Sequence, residues 1–139
     1  MSELLTGFLS RAEARATCIV DAVGDHSHAE VIGAARKVAA SLLSAASARS
    51  RLSTASARSL DGARIAILVE PGASFVAALF GVMLAGGTAL VLSPLHPAPE
   101  TRYFCEDAGV RAVLVTASYT AQLDHLRDAF DVRAKLGVG

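Results

Sequence analysis

The sequence has few cysteines and no excess of either charge, and both features limit the class of protein. Its 139 residues include two cysteines, Cys18 and Cys105, too few for a disulfide framework. We therefore expect a reducing compartment, where each cysteine is a small core residue. Lys plus Arg and Asp plus Glu number 13 each, so the chain has no net positive charge that would favour binding to nucleic acid or to an anionic membrane surface.

Motifs for catalysis and nucleotide binding are also missing. The sequence has no Gly-x-x-x-x-Gly-Lys-Ser/Thr phosphate loop, no Gly-x-Gly-x-x-Gly after a strand and no Gly-x-Ser-x-Gly nucleophile elbow. Ser93 and His96 share a loop, but proximity in sequence does not identify a catalytic triad. Glu70-Pro-Gly-Ala-Ser74 could offer backbone amides to an anion, yet its acid and single glycine favour a structural turn. We assign no catalytic or cofactor-binding residue from the sequence.

Two histidines, His26 and His28, are the candidate metal ligands. In an extended segment their spacing places both on the same side, with Asp25 and Glu30 nearby. Because no second ligand cluster with zinc-like spacing exists elsewhere, we interpret them as turn histidines at the start of a helix and assign no metal site.

The rest of the chain is organised around a strand, helix and strand between Arg64 and Leu92. Apolar runs rich in β-branched residues predict strands at 64–69 and 88–92, and the uncharged run 74–85 predicts a buried helix. A helix of this length joins parallel strands. The stretch from Pro71 to Pro99 lacks charge, so a membrane helix is the alternative, but Gly86-Gly87 interrupts it.

Periodicity and turn signals predict the other elements. We expect, in chain order, an amphipathic helix at 2–16, a strand at 17–20, a turn at 24–25, a helix from a Ser27/Glu30 capping box to Leu43, a helix at 100–108 after a proline-rich loop, a strand at 112–116, a helix at 119–130 and a tail of little pattern. The predicted fold is α/β and three-layer, a mainly parallel sheet with flanking helices, in a single domain over residues 1–139.

Residues 44–62 depart from this pattern. They are rich in Ser, Ala and Arg and have no apolar face, which predicts a solvated surface loop that is inserted into the fold. No acid occurs between Glu30 and Asp61, whereas five basic residues do, namely Arg36, Lys37, Arg49, Arg51 and Arg58. A contact to phosphate or to an acidic partner is the alternative interpretation.

Residues 64–115 resemble the N-terminal region of AMP-forming acyl-CoA synthetases, which belong to the adenylate-forming superfamily. The shared features are the apolar strand, Ser-Phe-Val, a helix ending in Ala-Gly-Gly, the proline-rich loop and a helix with Tyr and Asp before the next strand. Segments 19–21 and 27–31 are similar to the family's opening strand and helix start, so the resemblance extends from about Glu3 to Phe130. This sequence departs from the family at His28, usually aromatic, at Glu70, usually Asn, and at the insertion.

The resemblance implies ATP-dependent activation of a carboxylate to acyl-AMP, followed by transfer to CoA. ATP, Mg²⁺ and CoA would serve a complete enzyme. The family's phosphate loop, adenine-binding segment, ribose-binding Asp and catalytic Lys are absent from these residues, so we expect the chain alone to bind no cofactor and to be inactive.

A protein partner is therefore expected. It is either the missing remainder of a truncated or split synthetase, or a larger assembly in which the fold is a structural or interaction subunit. An unrelated small α/β binding module is a third alternative. Because the resemblance begins within a few residues of Met1, we expect no presequence and a cytoplasmic location, with mitochondria as the alternative.

Overall fold

A parallel sheet between two layers of helices forms the centre of the protein. The structure is a computed structural model that describes residues 2–49, 59–128 and 130–133. The elements are α1 Glu3–Leu9, β1 Thr17–Val20, β2 Asp25–Ser27, α2 His28–Arg49, β3 Arg64–Leu68, α3 Ala73–Leu84, β4 Thr88–Val91, α4 Ala98–Ala108, β5 Ala112–Val115, a 3-10 helix Ala117–Leu126 and β6 Asp131–Arg133. The sheet has the order β4-β3-β5-β6 with all neighbours parallel, whereas β1 and β2 form a separate antiparallel hairpin.

Both faces of the sheet are buried, as near-continuous apolar strands require. On one face Ile65, Ile67 and Leu114 pack with buried residues of α2 and α3. On the other face Leu68 and Val115 pack with buried residues of α4 and the 3-10 helix. This arrangement confirms the predicted three-layer α/β class and its parallel strands.

Helices α2 and α3 approach each other closely at Gly81. A Cβ atom on this glycine would lie 2.6 Å from Cβ of Val38 and 2.9 Å from the carbonyl oxygen of Ala35. Small residues also cover the buried face of α3, where Ala77 and Ala78 lie. Among the described residues, no helix combines the length and hydropathy needed to cross a bilayer.

Helix α4 begins two residues earlier than predicted. Its first residue is Ala98 and not Glu100, so Pro99 lies within the first turn. Proline is tolerated there because the first amides of a helix have no partner inside it. The predicted end is confirmed, since Gly109 adopts a left-handed conformation with φ of 63° and caps the helix.

Both N-terminal helices differ in length from the prediction. Helix α1 ends at Leu9, well before the predicted Ala16. Helix α2 continues past Leu43 to Arg49, so the prediction of a surface loop is wrong for residues 44–49. Ser, Ala and Arg are all compatible with a helix interior, and Ala46 of this segment packs against the core. The rest of the predicted loop up to residue 58, including Arg51 and Arg58, lies outside the described residues.

Two short strands were not predicted, and one helix is of another type. Strand β2 lies partly where a turn was expected at Asp25, and β6 lies in the tail. The α-helix predicted at 119–130 is instead the 3-10 helix, which does bury Leu123 and Leu126 as expected. Phe130 follows it and is half-buried.

Candidate functional site

The sheet has a topological switch point between β3 and β5. After β3 the chain enters α3, which covers one face of the sheet. After β5 it enters the 3-10 helix, which covers the opposite face. Where neighbouring parallel strands lead to opposite faces, their carboxyl ends open into a crevice, the usual ligand site of open α/β sheets.

A cleft of about 450 Å³ lies at this edge of the sheet. Residues that follow β3, β4 and β5 line it together: Val69, Pro71, Phe75, Leu92, Ser93, Pro94 and Tyr119. Most are apolar or aromatic, and Ser93 and Tyr119 contribute hydroxyl groups. Such a wall suits an uncharged apolar group, because none of these side chains is charged.

A hydrogen bond between side chains joins the segments that follow β3 and β5. The hydroxyl of Ser118 donates to the carboxylate of Glu70, and both side chains are exposed. The hydroxyls of Thr116 and Ser118 lie 3.4 Å apart on the β5 side. The negative charge of Glu70 at this position opposes the binding of phosphate.

The amide at the start of α3 is already bound by the protein's own carboxylate. The Ala73 amide donates to Asp21 Oδ2 at 3.0 Å. Gly72 has φ of 138°, and a Cβ atom on it would lie 2.7 Å from the same oxygen. The Ala73 amide, and then His26, hold the pKa of Asp21 well below its usual range. These contacts agree with the interpretation of residues 70–74 as a structural turn.

The two candidate metal ligands have separate structural partners. His26 is buried, with Nε2 3.0 Å from Asp21 Oδ1 and Nδ1 3.7 Å from Glu30 Oε2. His28 Nδ1 lies 3.0 Å from the carbonyl oxygen of Ala16. No group of three metal-ligating side chains exists in the described part of the chain. The Ser27 hydroxyl accepts from the Glu30 amide at 3.1 Å, as the predicted capping box requires.

The remaining reactive side chains are not brought together. Ser93 Oγ accepts from the Leu95 amide at 3.2 Å. The ring of His96 instead packs on Phe104, with centroids 5.1 Å apart. Cys105 is buried, and burial raises its pKa to about 11, which keeps it a neutral thiol.

The described residues do not fit a nucleoside triphosphate. Phosphate sites use free backbone amides at a helix start together with Lys or Arg. Here Asp21 occupies the Ala73 amide, Glu70 adds negative charge, and the lining of the cleft contains no basic residue. The cleft therefore offers a mainly apolar, uncharged wall.

Comparison with known proteins identifies the fold. Residues 10–138 match the AMP-binding enzyme family. A CoA ligase of Gibberella moniliformis is 34% identical over 68 residues, which are 49% of this chain and 11% of that protein. The nonribosomal peptide synthase roqA of Penicillium rubens is 28% identical over 120 residues, 86% of this chain and 5% of that protein. A benzoate CoA ligase from Burkholderia xenovorans superposes with a TM-score of 0.77 at 16% identity, covering 96% of this chain and 25% of that one.

The chain thus spans between one twentieth and one quarter of the length of these proteins. The family match extends over nearly the whole sequence, in agreement with the resemblance found in the motifs. It reaches from the loop before β1 to the residues after β6. The chain belongs to the AMP-binding enzyme family and corresponds to part of an AMP-binding domain.

Proposed function

We propose that this chain is the N-terminal portion of an acyl-CoA synthetase-like enzyme and that it activates a carboxylate only together with the rest of the AMP-binding domain. One observation carries the proposal. The chain superposes along 96% of its own length on only 25% of a benzoate CoA ligase. The other three quarters of that ligase have no counterpart in this chain.

The reaction of the complete enzyme would have two steps. A carboxylate oxygen attacks the α-phosphorus of ATP, pyrophosphate leaves, and acyl-AMP forms. The thiol of CoA then attacks the acyl carbon, and AMP leaves. This chain's contribution is the parallel sheet and its carboxyl-edge cleft, an apolar surface without charge. The phosphate loop and the catalytic Lys would come from the rest of the domain, since Asp21 already binds the amide of Ala73 at the start of α3.

A second candidate is a non-catalytic use of the same fold as a structural or interaction subunit. The observation that favours it is exposed apolar surface. Leu95 is 89% exposed and Tyr103 62% exposed, on a loop and a helix that lie next to each other. Large apolar side chains grouped at a surface mark contacts with other polypeptides. Both candidates therefore require a protein partner, and they differ in what that partner carries.

Native mass spectrometry of the chain purified from its own source distinguishes them. We expect a companion polypeptide with a Ser/Thr-Gly-rich phosphate loop and a catalytic Lys. The complex should catalyse carboxylate-dependent exchange between ATP and pyrophosphate, and the isolated chain should not. Companions without these motifs would favour the structural subunit. Exchange catalysed by the pure isolated chain would overturn the proposal that it is inactive alone.

A further inference from the structure

The buried ring of His26 lies between two carboxylates that belong to different parts of the fold. Its Nε2 is 3.0 Å from Oδ1 of Asp21, directly after β1, and its Nδ1 is 3.7 Å from Oε2 of Glu30, in the first turn of α2. An ionised carboxylate only accepts hydrogen bonds, so we infer that Nε2 carries a proton and donates it to Asp21. The remaining ring nitrogen faces Glu30.

The two protonation states of this ring differ in their contact with Glu30. A neutral imidazole has one N–H group, which Asp21 uses, and it turns a lone pair towards Glu30. The charged ring donates from both nitrogens and pairs with both carboxylates. The side chain of Glu30 is 53% exposed, so it is free to move away when the ring is neutral. Histidine ordinarily changes its charge between about pH 5 and 8.

The other elements around the ring bring no further charge to it. Strand β1 and helix α3 contain no charged residue. Cys18, the titratable residue of β1, lines a separate groove together with His28. Asp25, the neighbour of His26 in β2, is exposed. Asp21 and Glu30 are therefore the groups that respond to the charge of the ring.

Asp21 links the ring to the start of α3. Its Oδ1, which faces His26, also accepts hydrogen bonds from the amides of Val23 and Gly24 at 2.9 and 3.2 Å. Its Oδ2 accepts from the amide of Ala73 at 3.0 Å. A single carboxylate thus bonds the histidine, the hairpin turn and the first residue of the helix. Any movement of this carboxylate reaches all three.

The start of α3 is also one wall of the cleft at the carboxyl edge of the sheet. Pro71 and Phe75, on either side of Gly72 and Ala73, both line that cleft. A Cβ atom on Gly72 would lie 2.7 Å from Oδ2 of Asp21, so the turn and the carboxylate are in close contact. The position of this wall therefore depends on where Asp21 is held.

We propose that His26 is a pH-sensitive positioning residue: its charged ring draws Asp21 and Glu30 together and thereby sets the position of Pro71 and Phe75 in the wall of the cleft. When the ring loses its proton, the bond to Asp21 remains and the contact with Glu30 is lost. The start of α3 is then held by the hairpin alone, without the tie to α2. This inference concerns the chain by itself and does not depend on the proposed function.

An NMR titration of the chain between about pH 5 and 8 tests the coupling. It follows the ring protons of His26 and the amide resonances of Ala73 and Phe75. We expect both amides to shift with the same midpoint as the ring. Constant amide resonances while His26 titrates would overturn the inference, and so would a ring that does not titrate in this range. The wild-type titration needs no variant, so the test does not depend on whether a variant folds.

Three variants then separate the routes by which pH could act. His26→Gln keeps an N–H donor but takes up no proton in this range, so the amides of Ala73 and Phe75 should lose their shift. Asp21→Asn should uncouple these amides from the ring, whereas a field acting through space would leave them coupled and overturn the role of Asp21. His28→Gln, the matched control two residues away, should leave the shift unchanged. A shift that persists in His26→Gln and disappears in His28→Gln would assign the effect to His28 and overturn the inference.

Discussion

The carboxylate of Asp21 accepts a hydrogen bond from the amide of Ala73, 52 residues further along the chain. It thereby attaches the β1–β2 hairpin to the start of α3. A helix leaves its first amides unpaired and favours negative charge at this end. The cap position of α3 is Gly72, which has no side chain, so a residue from the hairpin supplies the acceptor.

We expect Asp21→Asn to lower the melting temperature by a few degrees at neutral pH. The folded state holds the pKa of Asp21 below its usual range. The stabilisation is therefore complete above the unfolded-state pKa, near 3.9, and is lost as the pH falls below it. The difference in melting temperature between wild type and variant should shrink as the pH is lowered from about 5 towards 2.

Asp25→Asn is the matched control, because Asp25 lies on the same hairpin but its side chain is exposed to solvent. It should melt within about one degree of the wild type at neutral pH. Thermal melts of the three proteins by circular dichroism give the comparison. Equal melting temperatures of wild type and Asp21→Asn at pH 7 would show that the bond to Ala73 contributes nothing.

Gly81→Ala should destabilise the protein by about 1–3 kcal/mol, because the new methyl group would lie 2.6 Å from Val38. Gly33→Ala provides the opposite case on the neighbouring helix, where a Cβ atom meets nothing within 4 Å. Alanine there should stabilise by up to about 1 kcal/mol through helix propensity. Urea titrations measure both changes. A gain in stability from Gly81→Ala would contradict the close packing of α2 against α3.

The two cysteines should react with alkylating reagents at very different rates. Burial raises the pKa of Cys105 to about 11, so at pH 8 roughly one molecule in a thousand carries the thiolate. Cys18 is half-buried and should be modified first. Mass spectrometry after a short exposure to iodoacetamide should find a single adduct, on Cys18, and two adducts in denaturant. Labelling of Cys105 in the folded Cys18→Ser variant within the same time would contradict its burial.

Leu126→Ala should lower the free energy of unfolding by about 2–5 kcal/mol, since Leu126 of the 3-10 helix is fully buried against the sheet. Leu95→Ala removes the same atoms from an exposed loop and should change it by less than about 0.5 kcal/mol. Denaturant midpoints of the two variants test the contrast. A small effect at Leu126 would mean that the 3-10 helix is not packed on the sheet.

The strand, helix and strand at 64–92 could be predicted because their signals are local: β-branched runs, an uncharged helix and glycines between them. Strands β2 and β6 have three residues each, too few for any alternation to be visible. An α-helix over residues 117–126 would bury the same leucines as the 3-10 helix that forms there. The spacing of apolar residues alone therefore did not distinguish the two helix types. Prolines at a helix start were interpreted as breakers, although α4 uses Pro99 in its first turn.

The candidate site was much less predictable. The sequence placed Glu70 and Ser93 at strand ends, yet the cleft depends on strand order, which brings β3 between β4 and β5. Ser118 was assigned no role, because its bond to Glu70 spans 48 residues. Asp21 offered a weak signal: an acid directly after a predicted strand and five residues before His26. Its bond to Ala73 follows from tertiary packing and could not be derived from spacing.

The position of β3 in the middle of the sheet has a consequence for synthesis. The edge of β3 that pairs with β5 stays unpaired until Val115 has been synthesised, about 50 residues after Leu68. At ordinary translation rates this interval lasts several seconds. During that time Ile65 and Ile67 belong to a nascent strand with one neighbour at most, an apolar edge that invites pairing with other chains. The ribosome-bound intermediate therefore exposes a strand edge that the finished fold pairs with β5.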